Sequence, residues 1–202
     1  MFSIIQAAGW PIYPLILASI AAVTIIIERL LSLRADVVAP KGLLNKVVQE
    51  YRSGGVSQDM LSKLSQSSHL GRIFAAGLRN VNSSREVMKE AIEEAGSAVS
   101  HDLGRFLTTL GSIASLSPLL GLLGTVVGMI EIFGSQAPTG NNPAQLAHGI
   151  SIALYNTAFG IIVAVPAIGF YRHLRSRIDS LIVDMEQQAI KLVEVVHGER
   201  KL

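Results

Sequence analysis

From Met1 to Ile27 the chain carries no Asp, Glu, Lys or Arg, and its densest apolar run extends from Pro11 to Ile27. A second uncharged stretch runs from Phe106 to Ile130, between Arg105 and Glu131, and a third from Gly149 to Tyr171, between His148 and Arg172. A bilayer core takes about 20 apolar residues as helix, so each stretch predicts a transmembrane helix. One alone could be a buried helix of a soluble bundle, but three in 202 residues point to a membrane. The first could also be a signal peptide. It lacks a basic n-region, however, and Glu28, Arg29 and Leu30 stand where a small-residue cleavage site belongs. It is expected to remain as an anchor. Pro11 and Pro14 suit its first turn, where a missing N–H costs little. Trp10 and Tyr13, and Phe170 and Tyr171 on the third stretch, sit where an interfacial aromatic belt lies.

Between and after these stretches the pattern turns amphipathic. Ser83 to Glu86 reads S-x-x-E, a capping box. Met88, Ala91, Ile92, Ala95, Ala98, Val99, Leu103 and Phe106 follow at steps of three and four, one apolar stripe on a helix. No proline intervenes before Pro118, so this helix is expected to run unbroken into the second span, reaching roughly 30 Å beyond it. Ile178, Ile182, Met185, Ala189, Leu192 and Val196 make a second stripe, predicted to pack on the first. Leu43–Arg52 and Val56–Leu64 predict shorter helices, divided by Gly54 and Gly55. The expected class is an all-α membrane protein, with three transmembrane helices and long cytoplasmic helical extensions. The expected segments are a tail and first span over 1–30, a helical region over 31–105, the second span over 106–133, a loop over 134–148, the third span over 149–171 and a helical tail over 172–202.

Composition agrees. Half of the residues are hydrophobic and 16% are charged, against about a quarter charged in soluble domains, and mean hydropathy is +0.45. The apolar mass excludes a disordered chain. The absence of cysteine excludes thiol catalysis and zinc-thiolate sites. A net charge of +2 gives no ground for a nucleic-acid partner. The placement of charge is more telling. Of the 17 Lys and Arg residues, eleven lie from Arg29 to Arg105 and six after Phe170. By the positive-inside rule both regions are expected in the cytoplasm, with the N-terminus and the loop from Glu131 to His148 outside. Gly134, Pro138, Gly140, Asn141, Asn142 and Pro143 give that loop turn chemistry.

No nucleophile elbow, P-loop or dinucleotide turn is present, so no enzyme activity and no cofactor are expected. His69, His101, His173 and His197 share no metal-ligand spacing, and no metal is expected. Gly121, Gly124 and Gly128 could suggest a phosphate loop, but no Lys-Ser/Thr follows them. Gly124 and Gly128 instead form a small-xxx-small pair, and Ala153, Thr157, Gly160 and Ala164 make a similar stripe. The second and third spans are therefore expected to pack closely and to mediate oligomerisation, while the first, rich in Leu and Ile, faces lipid. Thr125, midway along the second span, and Ser151, Asn156 and Thr157 in the third are the candidate polar residues, and such side chains could simply bond back to their own helices. No Asp, Glu, Lys or Arg lies deep in any span. A proton carrier usually shows an ionisable group there, so either no protons move or a partner supplies that group.

Ser117 to Phe133 reads S-P-L-L-G-L-L-G-T-V-V-G-M-I-E-I-F, and Gly149 to Ala167 reads G-I-S-I-A-L-Y-N-T-A-F-G-I-I-V-A-V-P-A. Both segments resemble the signature helices of the MotA/TolQ/ExbB proton-channel family, as does the Glu28-Arg29 pair closing the first span. Three spans with an outer N-terminus resemble the ExbB/TolQ branch, because MotA-type stators have four. The resemblance implies a homo-pentamer around a central pore in the inner membrane. The pore would hold an ExbD/TolR-type single-span partner whose Asp binds the proton, with Thr125 and Thr157 facing it. A TonB-type or TolA-type transducer would receive the work. One position departs from the pattern: many relatives carry Glu where this chain has Ile152. The competing readings are a TolQ-type subunit of an envelope system, a non-conducting membrane scaffold, and a membrane enzyme or substrate transporter. The last would need charged or metal-binding groups at membrane depth.

Overall fold

The computed structural model describes residues 9–134 and 143–199. Every regular element among them is a helix: α1 (Ile12–Ser32), α2 (Ala35–Val38), α3 (Leu43–Gly54), α4 (Gln58–Ser67), α5 (His69–Arg79), α6 (Arg85–Leu103), α7 (Leu107–Gly134) and α8 (Pro143–Val196). Three helical runs, carrying α1, α7 and α8, are long and apolar enough to cross a membrane. The expected all-helical class with three spanning helices is thus met. The first residues and most of the expected loop, including Pro138, Gly140, Asn141 and Asn142, lie outside the described residues. The helix of the third span starts at Pro143, so residues 143–148 are helical where turn chemistry predicted loop. Proline suits that first position, because the N–H it lacks has no helical partner there.

The chain divides into two compact units, Met1–Glu28 with Phe106–His173 and Arg29–Arg105 with Leu174–Leu202. In the first, α1 buries Ile12, Leu15, Ala22 and Ile26 and exposes Leu17, Ile20, Val23 and Ile27. Only one face of it is left for lipid. On α7 the buried positions are Leu107, Leu110, Ala114, Ser117, Gly121 and Gly124, a stripe of steps of three and four whose outer members are small. The matching stripe on α8 is Ala153, Asn156, Gly160, Val163, Ala164 and Ala167.

The second unit is held by amphipathic helices with serine caps. Ser57, Ser68 and Ser84 accept hydrogen bonds from the N–H groups of Met60, Gly71 and Val87, each satisfying a donor that the helix start leaves open. Gly55, at φ 69°, ends α3 in a conformation that a side chain would strain. The buried helix α5, outside the elements expected from the sequence, contributes Leu70, Ile73, Phe74 and Leu78. The α6 stripe buries Met88, Val99 and Leu103. The tail stripe buries Ile178, Met185, Ala189 and Leu192, with Leu181 and Val193 beside them. Arg85 and Glu199 join the far ends of α6 and the tail at 2.8 Å. A groove of about 710 Å³ lies between α6 and the tail; Ile182, Met185 and Ala189 of the tail stripe line it, but of the α6 stripe only Ile92 does, beside Lys89, Glu93, Gly96 and Ser97.

Two local expectations are corrected. The cap of α6 is Ser84 rather than Ser83. The Ser83 N–H closes a turn on Asn80 O at 3.0 Å, which places Ser83 in the preceding turn. The Glu86 carboxyl, receiving a backbone N–H and the Ser84 hydroxyl, is held below its usual range. The second correction concerns the helix through 103–107, which does not run unbroken. Gly104–Phe106 forms a turn, and Phe106 takes φ 64°, a left-handed conformation that costs a side-chain residue about 1–2 kcal/mol. Phe106 therefore leaves the stripe and is 42% exposed. The carbonyl of Leu103, freed at the end of α6, accepts from the buried guanidinium of Arg29 at 3.3 Å.

Candidate functional site

The polar centre of the first unit is a pair of hydroxyls. Thr125 on α7 and Thr157 on α8 are both part-buried, and their Oγ1 atoms stand 2.5 Å apart. Thr125 Oγ1 also lies 3.0 Å from Ala153 O and 3.3 Å from Gly121 O. A hydroxyl has one proton to give and two lone pairs to receive. When Thr125 donates to Ala153 O, the short contact is made by Thr157 donating to Thr125. Both lone pairs of Thr157 Oγ1 then stay open to a further hydrogen-bond donor.

The small residues around the pair explain how two spans come this close. A Cβ on Gly121 would stand 2.7 Å from Asn156 O and 3.0 Å from Thr157 Cα. One on Gly160 would stand 2.5 Å from Ser117 O, and one on Gly124 2.7 Å from Asn156 Cβ. At Gly128 it would meet Ala153 Cβ at 3.1 Å. Gly121, Gly124, Gly128, Ala153 and Gly160 therefore pack α7 on α8 within one chain, and Ala164 lies buried further along the same stripe. No larger side chain at Gly121 or Gly160 would let the backbones meet at the distance the threonine contact needs.

The other two polar candidates are placed apart from the pair. Ser151 is exposed, and its hydroxyl donates to Ala147 O at 2.9 Å, bonding back to its own helix. Asn156 is 1% exposed and lies against Gly124, inside the packing of the two spans. Ile152 lines a recess of about 380 Å³ with Gly124, Gly128, Ala153, Asn156 and Glu131. Glu131 brings the one carboxylate among the residues that line it. The sequence could name the residue types at these positions. It could not show that Thr125 and Thr157 share a hydrogen bond, because 32 positions separate them along the chain.

Beyond the spans, the titratable groups serve structure. Arg72 on α5 and Asp102 on α6 pair at 2.6 Å. That hydrogen bond holds the Asp102 carboxyl below the usual carboxylate range. Burial, and then the charge of Arg72, push the His69 imidazole below its ordinary value. Among the described residues no three His, Asp or Glu side chains gather as a metal site.

Residues 65–187 match the MotA/TolQ/ExbB proton channel family. A Synechocystis protein named biopolymer transport protein ExbB-like 3 is 34% identical over 176 residues, covering 85% of this chain and 83% of its own. Biopolymer transport protein exbB1 of Vibrio cholerae is 32% identical over 170 residues, covering 81% of this chain and 74% of its own. Biopolymer transport protein ExbB of Helicobacter pylori is 40% identical over 85 residues, 42% of this chain and 59% of its own. The match reaches from the helical region before the second span, through both signature spans and into the tail, so the chain belongs to the MotA/TolQ/ExbB proton channel family, in its ExbB-like branch.

Proposed function

We propose that the chain is the channel subunit of a proton-driven, energy-transducing complex in the inner membrane. In this reading five copies surround a pore, and the pore holds single-span helices of an ExbD-type partner. A carboxylic acid on the partner helix carries the proton, and a TonB-type protein receives the work. One observation carries the proposal: two spans free of ionisable residues at depth bring the hydroxyls of Thr125 and Thr157 to 2.5 Å. A bare carboxylate moved into so apolar a setting costs several kcal/mol or more. Thr157, with acceptor capacity left, can accept a hydrogen bond from the neutral acid. If both hydroxyls turn, the pair can donate to the carboxylate instead. Each charge crossing 100 mV releases about 2.3 kcal/mol, so several protons would supply a large rearrangement. The ExbB-named relatives favour this reading over a TolQ-type one.

The test is proton flux in liposomes with an imposed pH gradient. Liposomes holding this chain alone are expected to keep the gradient nearly as well as empty ones. Those that also hold its co-purified single-span partner should leak protons. Rapid collapse without a partner would place the proton carrier in this chain and sink the proposal.

A further inference from the structure

The start of α7, with Thr108, and the middle of α8, with Arg172, enclose a second recess, of about 400 Å³. Thr108, Gly111, Ser112 and Ser115 line it from α7, and Ile168, Tyr171 and Arg172 from α8. Each set repeats at three- and four-residue steps, so each forms one face of its helix. Small α7 side chains create the space. Gly111 lets the Tyr171 ring lie against the backbone, since a Cβ there would stand 3.2 Å from Tyr171 Cε2.

The chemistry of the lining is specific. Arg172 is exposed and makes no hydrogen bond or ion pair with the described residues, whereas Arg175, further along the helix, pairs with Asp179. No Asp or Glu lines the recess, so the guanidinium is uncompensated there. Three hydroxyls lie beside it. Ser115 donates to Gly111 O at 3.0 Å, and its oxygen can still accept. Ile168 and Ala114 add an apolar wall. A cation, hydroxyls, a tyrosine and an apolar wall thus meet where the uncharged span gives way to Arg172. Basic pockets between spanning helices suit anionic lipid headgroups, and a guanidinium grips a phosphate through two parallel hydrogen bonds.

We propose that this recess binds the headgroup of an anionic phospholipid of the phosphatidylglycerol type. Arg172 holds the phosphate, the hydroxyls of Thr108, Ser112 and Ser115 bond the glycerol, and Ile168 lies along the first methylenes. A choline headgroup is disfavoured, because no carboxylate waits to receive its ammonium. The site does not depend on the proton reading.

The test is native mass spectrometry of the full chain, delipidated in mild detergent and titrated with dioleoylphosphatidylglycerol, dioleoylphosphatidylcholine or inorganic phosphate. The expected result is retention of phosphatidylglycerol over phosphatidylcholine. Arg172→Gln and Ser112→Leu should each weaken that retention at least about tenfold, one by removing the cation and the other by filling the recess. Arg177→Gln, which removes the same charge from the same helix outside the recess, should leave it unchanged. Helix content by circular dichroism checks that each variant is folded. Equal retention of the two lipids, retention unaltered in both site variants, or displacement of the lipid by inorganic phosphate would each overturn the proposal. The last outcome would identify a site for free phosphate.

Discussion

A hydroxyl pair at 2.5 Å can serve packing or proton transfer, and isosteric replacement separates the two. Thr157→Val keeps the branched shape and removes the only group able to complete the contact with Thr125. If the pair merely packs, the variant loses one hydrogen bond, about 1 kcal/mol, and proton-driven function survives. If it meets a partner's carboxyl, flux through the reconstituted complex should fall at least about tenfold, since a lost catalytic donor commonly costs 2.7–4 kcal/mol. Thr157→Ser should retain most of the flux because its hydroxyl remains. Normal flux in Thr157→Val, at normal assembly with the partner, would assign the pair to packing. The threonines could be singled out in the sequence because they are polar residues in apolar spans. Their mutual contact could not be read there, since it depends on the register between two helices. Asn156 illustrates the same limit. A polar residue in a span suggests a pore lining, yet the fold buries it against Gly124.

At the scale of elements, the same glycines that sequence spacing marked for close approach are used between α7 and α8. Gly160→Ala should therefore destabilise the protein. Its Cβ would stand 2.5 Å from Ser117 O, a backbone atom that cannot swing away, and overpacking costs about 1–3 kcal/mol. A Cβ at Gly169, on the same helix, would meet nothing within 4 Å. Gly169→Ala should be neutral or stabilising in the same thermal melt in detergent, and equal losses in both variants would discount the steric account. In the other unit, His69 packs where burial favours the neutral imidazole. Its folded pKa lies below the unfolded value of about 6.5, so below that pH the unfolded chain binds more protons and stability falls. As pH falls below about 6.5, the melting temperature should drop more steeply for the native chain than for His69→Gln; parallel slopes would acquit His69. Asp102 acts in the same direction at lower pH, losing its stabilising charge as pH falls through its depressed pKa. The spans were legible because length and apolarity suffice to mark them. The break at Gly104–Phe106 was not, because it turns on one left-handed phenylalanine that no proline announces. Helix α5 carried a signal in Leu70, Ile73, Phe74, Gly77 and Leu78, spaced by threes and fours behind a serine cap.

For the whole molecule, the arrangement of charge makes the sharpest claim. Each Lys or Arg kept off the translocated side avoids a crossing that costs about 2.5–3.5 kcal/mol at the bilayer centre. The seventeen basic residues are so divided that none lies before Arg29 and none between Arg105 and Arg172. With three spans, the region from Arg29 to Arg105 and the tail must share one side. The positive-inside rule predicts that this side is cytoplasmic and that the segment between the second and third spans is exposed on the other. The absence of native cysteine makes this measurable, because an introduced thiol is the only one present. A cysteine replacing Asn141 should react with a membrane-impermeant thiol reagent on cells whose outer membrane has been opened. Cysteines at Ser57 and Gln187, in the unit rich in basic residues, should react only after the inner membrane is also breached. Both positions are exposed or part-exposed in the chain itself, so a thiol placed there is not shielded by its own fold, and lysed membranes show whether assembly shields it. The opposite labelling pattern would invert the orientation. The first span would then begin in the cytoplasm, the groove between α6 and the tail would face outward, and the proposed coupling to a periplasmic transducer would lose its geometry.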